Sequence, residues 1–156
     1  MKFNLIAVGE RMPAWVETGF QEYRKRLPAE FELRLLAVAA AKRGKNHNID
    51  QCIQKEGQSL LARVGRDDHV IALEVGGKVL DTRALAARLE YLRQEGRDVA
   101  LLVGGPDGLA PACRDRAVEQ WSLSALTLPH PLVRLVVAEQ FYRAWSLLSG
   151  HPYHRD

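Results

Sequence analysis

Hydrophobic positions along this chain fall alternately into short solid runs and helical stripes. FNLIAV (3–8), ending at Gly9, is the kind of apolar run that forms a buried strand. From Pro13, which a first helical turn tolerates, to Leu27 the pattern is helical, and Pro28 closes it. ELRLLAVAA (32–40) reads as a strand, although its alanines suit a helix equally, and a helix follows over about 49–64. HVIALEV (69–75) is a strand bounded by Gly76 and Gly77. Asp81 and Thr82 can cap a helix to about Gln94, with Leu85, Leu89 and Leu92 at three- and four-residue spacing. DVALLVGG (98–105) is the clearest strand, and Pro106-Asp107-Gly108 is a turn. A short helix over about 111–119 leads into WSLSALTLP (121–129), and a final helix runs from about Pro131 to Ser149.

Strands alternating with helices imply an α/β fold, a parallel sheet with helices on both faces, within one domain over 1–156. Ligands of such sheets bind beyond the carboxyl ends of the strands. That rule selects the loops after Leu73, after Val103 and around Ser124 to Pro129. The last helix is apolar nearly all round in its first half, at Leu132, Val133, Leu135, Val136 and Val137. Such a helix needs cover on more than one face, and a second copy of the chain would supply it.

Composition narrows the class. With 47% hydrophobic and 26% charged residues the chain is ordinary globular protein. No stretch approaches the roughly 20 apolar residues of a membrane span, and MKFNLIAVGE is too short and too polar for a signal peptide. Cys52 and Cys113 lie far apart without a nearby histidine pattern, which fits reduced thiols in a cytoplasmic protein with no metal. Charge is uneven: residues 1–66 hold twelve Lys and Arg against seven Asp and Glu, and the remainder hold ten against twelve. The positive clusters are Arg24-Lys25-Arg26 and AKRGKNHN (41–48), which are either solvated surface or a phosphate footprint.

Three stretches could carry chemistry. VGGPDG (103–108) follows a strand, but it is neither a dinucleotide fingerprint nor a Walker loop. Its glycines either let a ligand approach the backbone or simply make a turn. SLSALTLPHP (122–131) places Ser122, Ser124 and Thr127 among apolar residues, and His130 between two prolines. No glycine elbow surrounds Ser124, so a serine nucleophile is disfavoured, and a stiff loop offering backbone groups suits a neutral heterocycle such as adenine. HPYHRD (151–156) is either a frayed tail or a set of side chains able to bind phosphate, stack on a base and move a proton. Arg143, one turn after Glu139, is either its salt-bridge partner or part of a site on the helix leading to that tail.

LLVGGPDGL (101–109), SLSALTLPHPLVR (122–134), FYRAW (141–145) and HPYHRD (151–156), with MKFNLIAVGERMPAWV and the AKRGKN loop, closely resemble the bacterial RlmH family. That family comprises large-subunit ribosomal RNA pseudouridine N3-methyltransferases of the SPOUT class. The departures are Asp107 and Asp156, where glutamate is expected. The resemblance implies a C-terminal trefoil knot, a homodimer and S-adenosyl-L-methionine as methyl donor. It implies cofactor contacts from Leu73, from Gly104 beside Gly105, and from Leu123, Ser124, Ala125, Leu126, Thr127 and Leu128. It implies that the substrate is 23S rRNA on the assembled ribosome, near the decoding site.

Within that resemblance the chemistry needs a proton removed from an imide nitrogen. His154 or His130 would take or relay it, Arg155 or Arg143 would steady the anion or a phosphate, and Tyr153 would contact the base. One subunit's tail would complete the other's pocket. The alternatives are a SPOUT methyltransferase acting on another RNA and a non-enzymatic ribosome-binding module.

Overall fold

The structure is a computed structural model and describes residues 1–155. Its elements are β1 (Phe3–Val8), α1 (Ala14–Arg24), a single 3-10 turn (Ala29–Phe31), β2 (Leu33–Val38), α2 (Ile49–Leu61), β3 (His69–Val79), α3 (Thr82–Glu95), β4 (Val99–Val103), α4 (Pro111–Arg116), β5 (Glu119–Ser122) and α5 (His130–Ser149). The strands form one sheet in the order β2-β1-β4-β3-β5, and every pairing is parallel.

Period-two alternation sorts the strand side chains into two cores. Phe3, Leu5 and Ala7 of β1, with Val99, Leu101 and Val103 of β4, face one side and pack against α1, α3 and α5. Ile6 and Val8, with Ala100 and Leu102, face the other and pack against α2 and α4. Burial on both faces is why these strands read as solid apolar runs. On the first side Phe3 stacks on Phe31 and meets Phe141 edge-on, at ring-centre distances of 6.1 and 5.1 Å. Arg24 Nε donates to Leu33 O at 2.9 Å and so covers part of the open edge of β2.

Helix ends follow their local chemistry. The Asn48 side chain accepts from Asp50 N and Gln51 N to start α2, and Asp81 accepts from Ala84 N to start α3. Gly96 and Gly150 end α3 and α5 in the left-handed region, at φ of 79° and 73°.

Several boundaries differ from the pattern reading, and that of β3 bears on the site. β3 does not stop at Gly76-Gly77 but continues to Val79, looping out residues 74–77 so that Leu73 and Lys78 both pair with Trp121. A side chain at Gly77 would lie 2.7 Å from the backbone carbons of Gln120 and Trp121. The glycine therefore admits β5 rather than ending β3. α4 is shorter than expected, and β5 accordingly begins two residues before Trp121.

Candidate active site

A cleft of about 620 Å³ opens at the carboxyl ends of β3, β4 and β5. Its walls are the three segments that the sheet rule selects. Leu73, Glu74 and Val75 come from β3 at the start of its loop-out; Val103, Gly104, Gly105 and Pro106 come from the end of β4 and the turn after it; Leu123, Ser124 and Leu126 to Pro129 come from the segment before α5. Of the expected cofactor residues, Leu73, Gly104, Leu123, Ser124, Leu126, Thr127 and Leu128 line it. Ala125 sits in the same segment but is exposed and outside the wall. Leu126 is 74% exposed, an apolar side chain standing at the rim.

Local structure explains the loops. Ser122 Oγ donates to Ser124 O at 2.9 Å, and Ser124 Oγ accepts from Leu126 N at 3.0 Å. Both hydroxyls are thus engaged in shaping their own loop. The paired glycines also serve the fold before any ligand. A side chain at Gly104 would lie 2.4 Å from Gly108 C, and one at Gly105 would lie 3.0 Å from Val8 and 3.2 Å from Glu56. At Gly104 the close approach is to backbone of the turn itself, and at Gly105 it is to the side chains of Val8 and Glu56.

The electrostatics of the cleft are specific. Among its described lining residues none is Lys or Arg, and Glu74 is held by Arg114 Nε at 2.5 Å. A ligand carrying several phosphates would find no counter-charge, whereas an apolar heterocycle attached to a cationic centre fits.

His130, at the first turn of α5, lines the cleft. Burial, and then the nearby Arg134 charge, hold its imidazole below the ordinary histidine value. Arg134 escaped the sequence reading. It is 2% exposed, and its Nη2 donates to Val8 O and Gly9 O at 3.1 and 2.5 Å, tying the start of α5 to the end of β1. Its Nε has no hydrogen-bond partner, and burial lowers its basicity. Only the carbonyls at the turn out of β1 could have revealed it, and sequence does not show them.

The other expected residues gather elsewhere. Arg143 lies thirteen residues beyond His130 on α5, about 20 Å along the axis at 1.5 Å per residue. Glu139 Oε1 accepts from both Arg143 Nε and Nη2 and, at 3.1 Å, from the Tyr153 hydroxyl. Arg143 Nη1 points to His154 Nδ1 at 3.3 Å. A guanidinium can only donate, so Nδ1 is the accepting nitrogen and the ring proton sits on Nε2. Burial, with hydrogen bonding to Tyr23, pushes the Tyr153 phenol upward, so it stays a donor. Arg155 is exposed at the end of the described chain.

The tail is ordered by its own subunit. Tyr153 packs against Tyr142 at 4.6 Å and His151 against Trp145 at 5.4 Å, while Arg26 of the α1 cluster lies 5.6 Å from the rings of both Tyr23 and Tyr142. The Arg24-Lys25-Arg26 cluster is therefore engaged: Lys25 and Arg26 both pair with Glu22. Within one subunit the structure joins Arg143, Tyr153 and His154 to one another, and separates them from His130 and the cleft.

The comparisons with known proteins bear on this geometry. A family model described as "Predicted SPOUT methyltransferase" matches residues 1–154. A curated relative from Methylococcus capsulatus, "Ribosomal RNA large subunit methyltransferase H", is 57% identical over 155 residues, covering 99% of this chain and 100% of that one. Among solved structures, a probable methyltransferase from Bordetella pertussis Tohama I superposes with a TM-score of 0.55 at 15% identity, over 91% of this chain and 95% of that one. A probable methylase family protein from Haemophilus influenzae Rd KW20 superposes at 0.54 and 12% identity, over 99% of this chain and 70% of that one. At such identities these two speak for the fold alone. The full-length family match, the near-complete relative and the parallel sheet with its cleft agree: this chain belongs to the SPOUT methyltransferase family.

Proposed function

We propose that the protein transfers a methyl group from S-adenosylmethionine to N3 of a pseudouridine in 23S rRNA, on the assembled ribosome in the cytoplasm, and that it works as a homodimer. The observation that carries the substrate is 57% identity along the whole chain to a large-subunit ribosomal RNA methyltransferase. The trefoil knot of the SPOUT fold, formed by the C-terminal part of the chain, belongs to the same reading.

In the cleft, residues 123–128 and Leu73 would hold the donor, with its charged centre facing walls free of Lys and Arg. When bound, the donor supplies a methyl group already activated on a sulfonium, so the protein's task is largely alignment. His130 would stand beside that group. Kept neutral by burial, it can accept the imide proton without first losing one of its own.

The second half of the site comes from the tail. Since Arg143 lies about 20 Å from His130 along α5 and Tyr153 of the tail packs beside Arg143, they reach the reacting atoms only when a second subunit contributes them. Half-buried Leu132, Val133, Leu135 and Val136 on α5 support such pairing. In that arrangement Tyr153 contacts the base and Arg143, or the exposed Arg155, steadies the developing anion. His154, with its ring proton on Nε2, would donate to a carbonyl rather than take the proton.

The test is labelled-methyl transfer to ribosomes lacking the modification, with separated subunits and naked rRNA alongside. Label confined to intact ribosomes and mapped to N3 of a pseudouridine supports the reading. Label preferring naked RNA or tRNA keeps the enzyme class and overturns the substrate; no label at all revives a binding module.

A further inference from the structure

The loop between β2 and α2 holds Lys42, Arg43 and Lys45, and the structure separates them by role. Arg43 turns inward. Its Nη1 and Nη2 donate to Glu56 Oε2 and Oε1 at 2.7 and 2.9 Å, and its Nε donates to Asp107 Oδ2 at 2.8 Å. Glu56 is 2% exposed and also accepts from Ala41 N at 3.0 Å. Arg43 Nη1 returns to Ala41 O at 2.9 Å, and Cys52 Sγ bonds Lys42 O at 3.4 Å. The backbone of 41–43 is thereby pinned against α2.

Lys42 and Lys45 differ. Both are exposed, and neither ammonium group has a partner among the described residues. Their loop leaves β2 beside the end of β1, at the same carboxyl end of the parallel sheet as the cleft. Asp107 belongs to the turn whose Gly105 and Pro106 line that cleft, so one ion pair joins the basic loop to the cleft wall.

We infer that residues 41–45 form a preorganised phosphate-binding arm for the RNA substrate, in which Lys42 and Lys45 contact phosphate and Arg43 clamps the arm to the wall of the methyl-donor cleft. The inference rests on the ribosomal RNA reading above. Two exposed ammonium groups, that of Lys42 on a pinned backbone and that of Lys45 two residues beyond the Arg43 clamp, gain counterion release on meeting phosphate. Arg43 is unsuited to the same task, because a phosphate would have to displace two carboxylates, one of them buried.

The clamp has a consequence opposite in sign to simple charge. Asp107→Asn removes a negative charge beside the arm, which by electrostatics alone should tighten RNA binding. If Asp107 anchors Arg43, the same change should weaken it.

The experiment measures binding of the full-length protein to unmodified ribosomes at several salt concentrations, and S-adenosylhomocysteine binding by calorimetry. Thermal unfolding is recorded for each variant. The Lys42→Ala/Lys45→Ala double variant is expected to lower the slope of log K against log salt by about 2, one per lysine, with unchanged S-adenosylhomocysteine affinity. Asp107→Asn and Arg43→Lys are expected to weaken both ribosome and S-adenosylhomocysteine binding, since an ammonium cannot hold two carboxylates in a fork. An unchanged slope in the double variant overturns the lysine contacts. Tighter ribosome binding by Asp107→Asn, with Arg43→Lys left at wild-type affinity, overturns the clamp. A wild-type protein that binds S-adenosylhomocysteine but no ribosomal particle overturns the functional reading instead, before any variant is compared.

Discussion

The Tyr153 hydroxyl donates to Glu139 Oε1 at 3.1 Å, and the same oxygen accepts from Arg143. One carboxylate on α5 thus fixes both the tail and the arginine that the functional reading places at the substrate. Sequence spacing supplies the Glu139–Arg143 half of this arrangement; the tail's return supplies the rest.

Glu139→Gln keeps the shape and removes the charge. Because the ion pair joins neighbouring turns of one helix and is only partly screened from water, its loss is expected to cost about 0.5–1 kcal/mol of stability, read from urea unfolding. Methyl transfer should fall much further, in kcat more than in KM, because two groups lose their orientation. A stability loss with undiminished kcat would mean that the Glu139 cluster merely fastens the tail.

Tail action between subunits has a direct test. A chain ending at Gly150 and a chain carrying His130→Ala are each expected to be nearly inactive as homodimers. Mixed dimers should regain activity, because one intact cleft then faces one intact tail. Absence of complementation in verified mixed dimers would count against the shared site.

His130 gives a pH prediction with a definite sign. Its folded value lies below the ordinary 6.5, so the unfolded chain takes up the proton first as pH falls. Wild type should therefore lose stability from about pH 6.5 downward until the folded value is passed. His130→Asn should lack that component, so the stability difference between the two proteins changes across this window and is flat above it. Denaturant unfolding at a series of pH values reads this out.

Two glycines of the cleft region should respond in opposite ways. Gly104→Ala places a methyl 2.4 Å from Gly108 C and is expected to cost about 1–3 kcal/mol, with weaker S-adenosylhomocysteine binding as the turn shifts. At Gly76 an added methyl meets nothing within 4 Å, and Gly76→Ala should stay within about 0.5 kcal/mol of wild type. Equal effects at both positions would show that the crowding at Gly104 is relieved without cost.

What the amino-acid order determined by itself was whatever local periodicity controls. Solid apolar runs at 3–8 and 99–103 and leucines spaced by three and four in α3 record burial within single elements, and burial is a property of each residue's own position. The cleft's three walls were legible for a related reason, because parallel strands bring their carboxyl ends to one edge. Tertiary structure alone decided which charges are spent and which remain free. Arg43 and Lys42 are neighbours in the chain, yet one is held by Glu56 and Asp107, thirteen and sixty-four residues away, and the other faces water. Arg134 stabilises the carbonyls of Val8 and Gly9 across more than a hundred residues. Gly77 looks like a strand end until β5 arrives beside it. Partners so distant leave no spacing to read, because the chain folds back in three dimensions before the two sides of each contact exist.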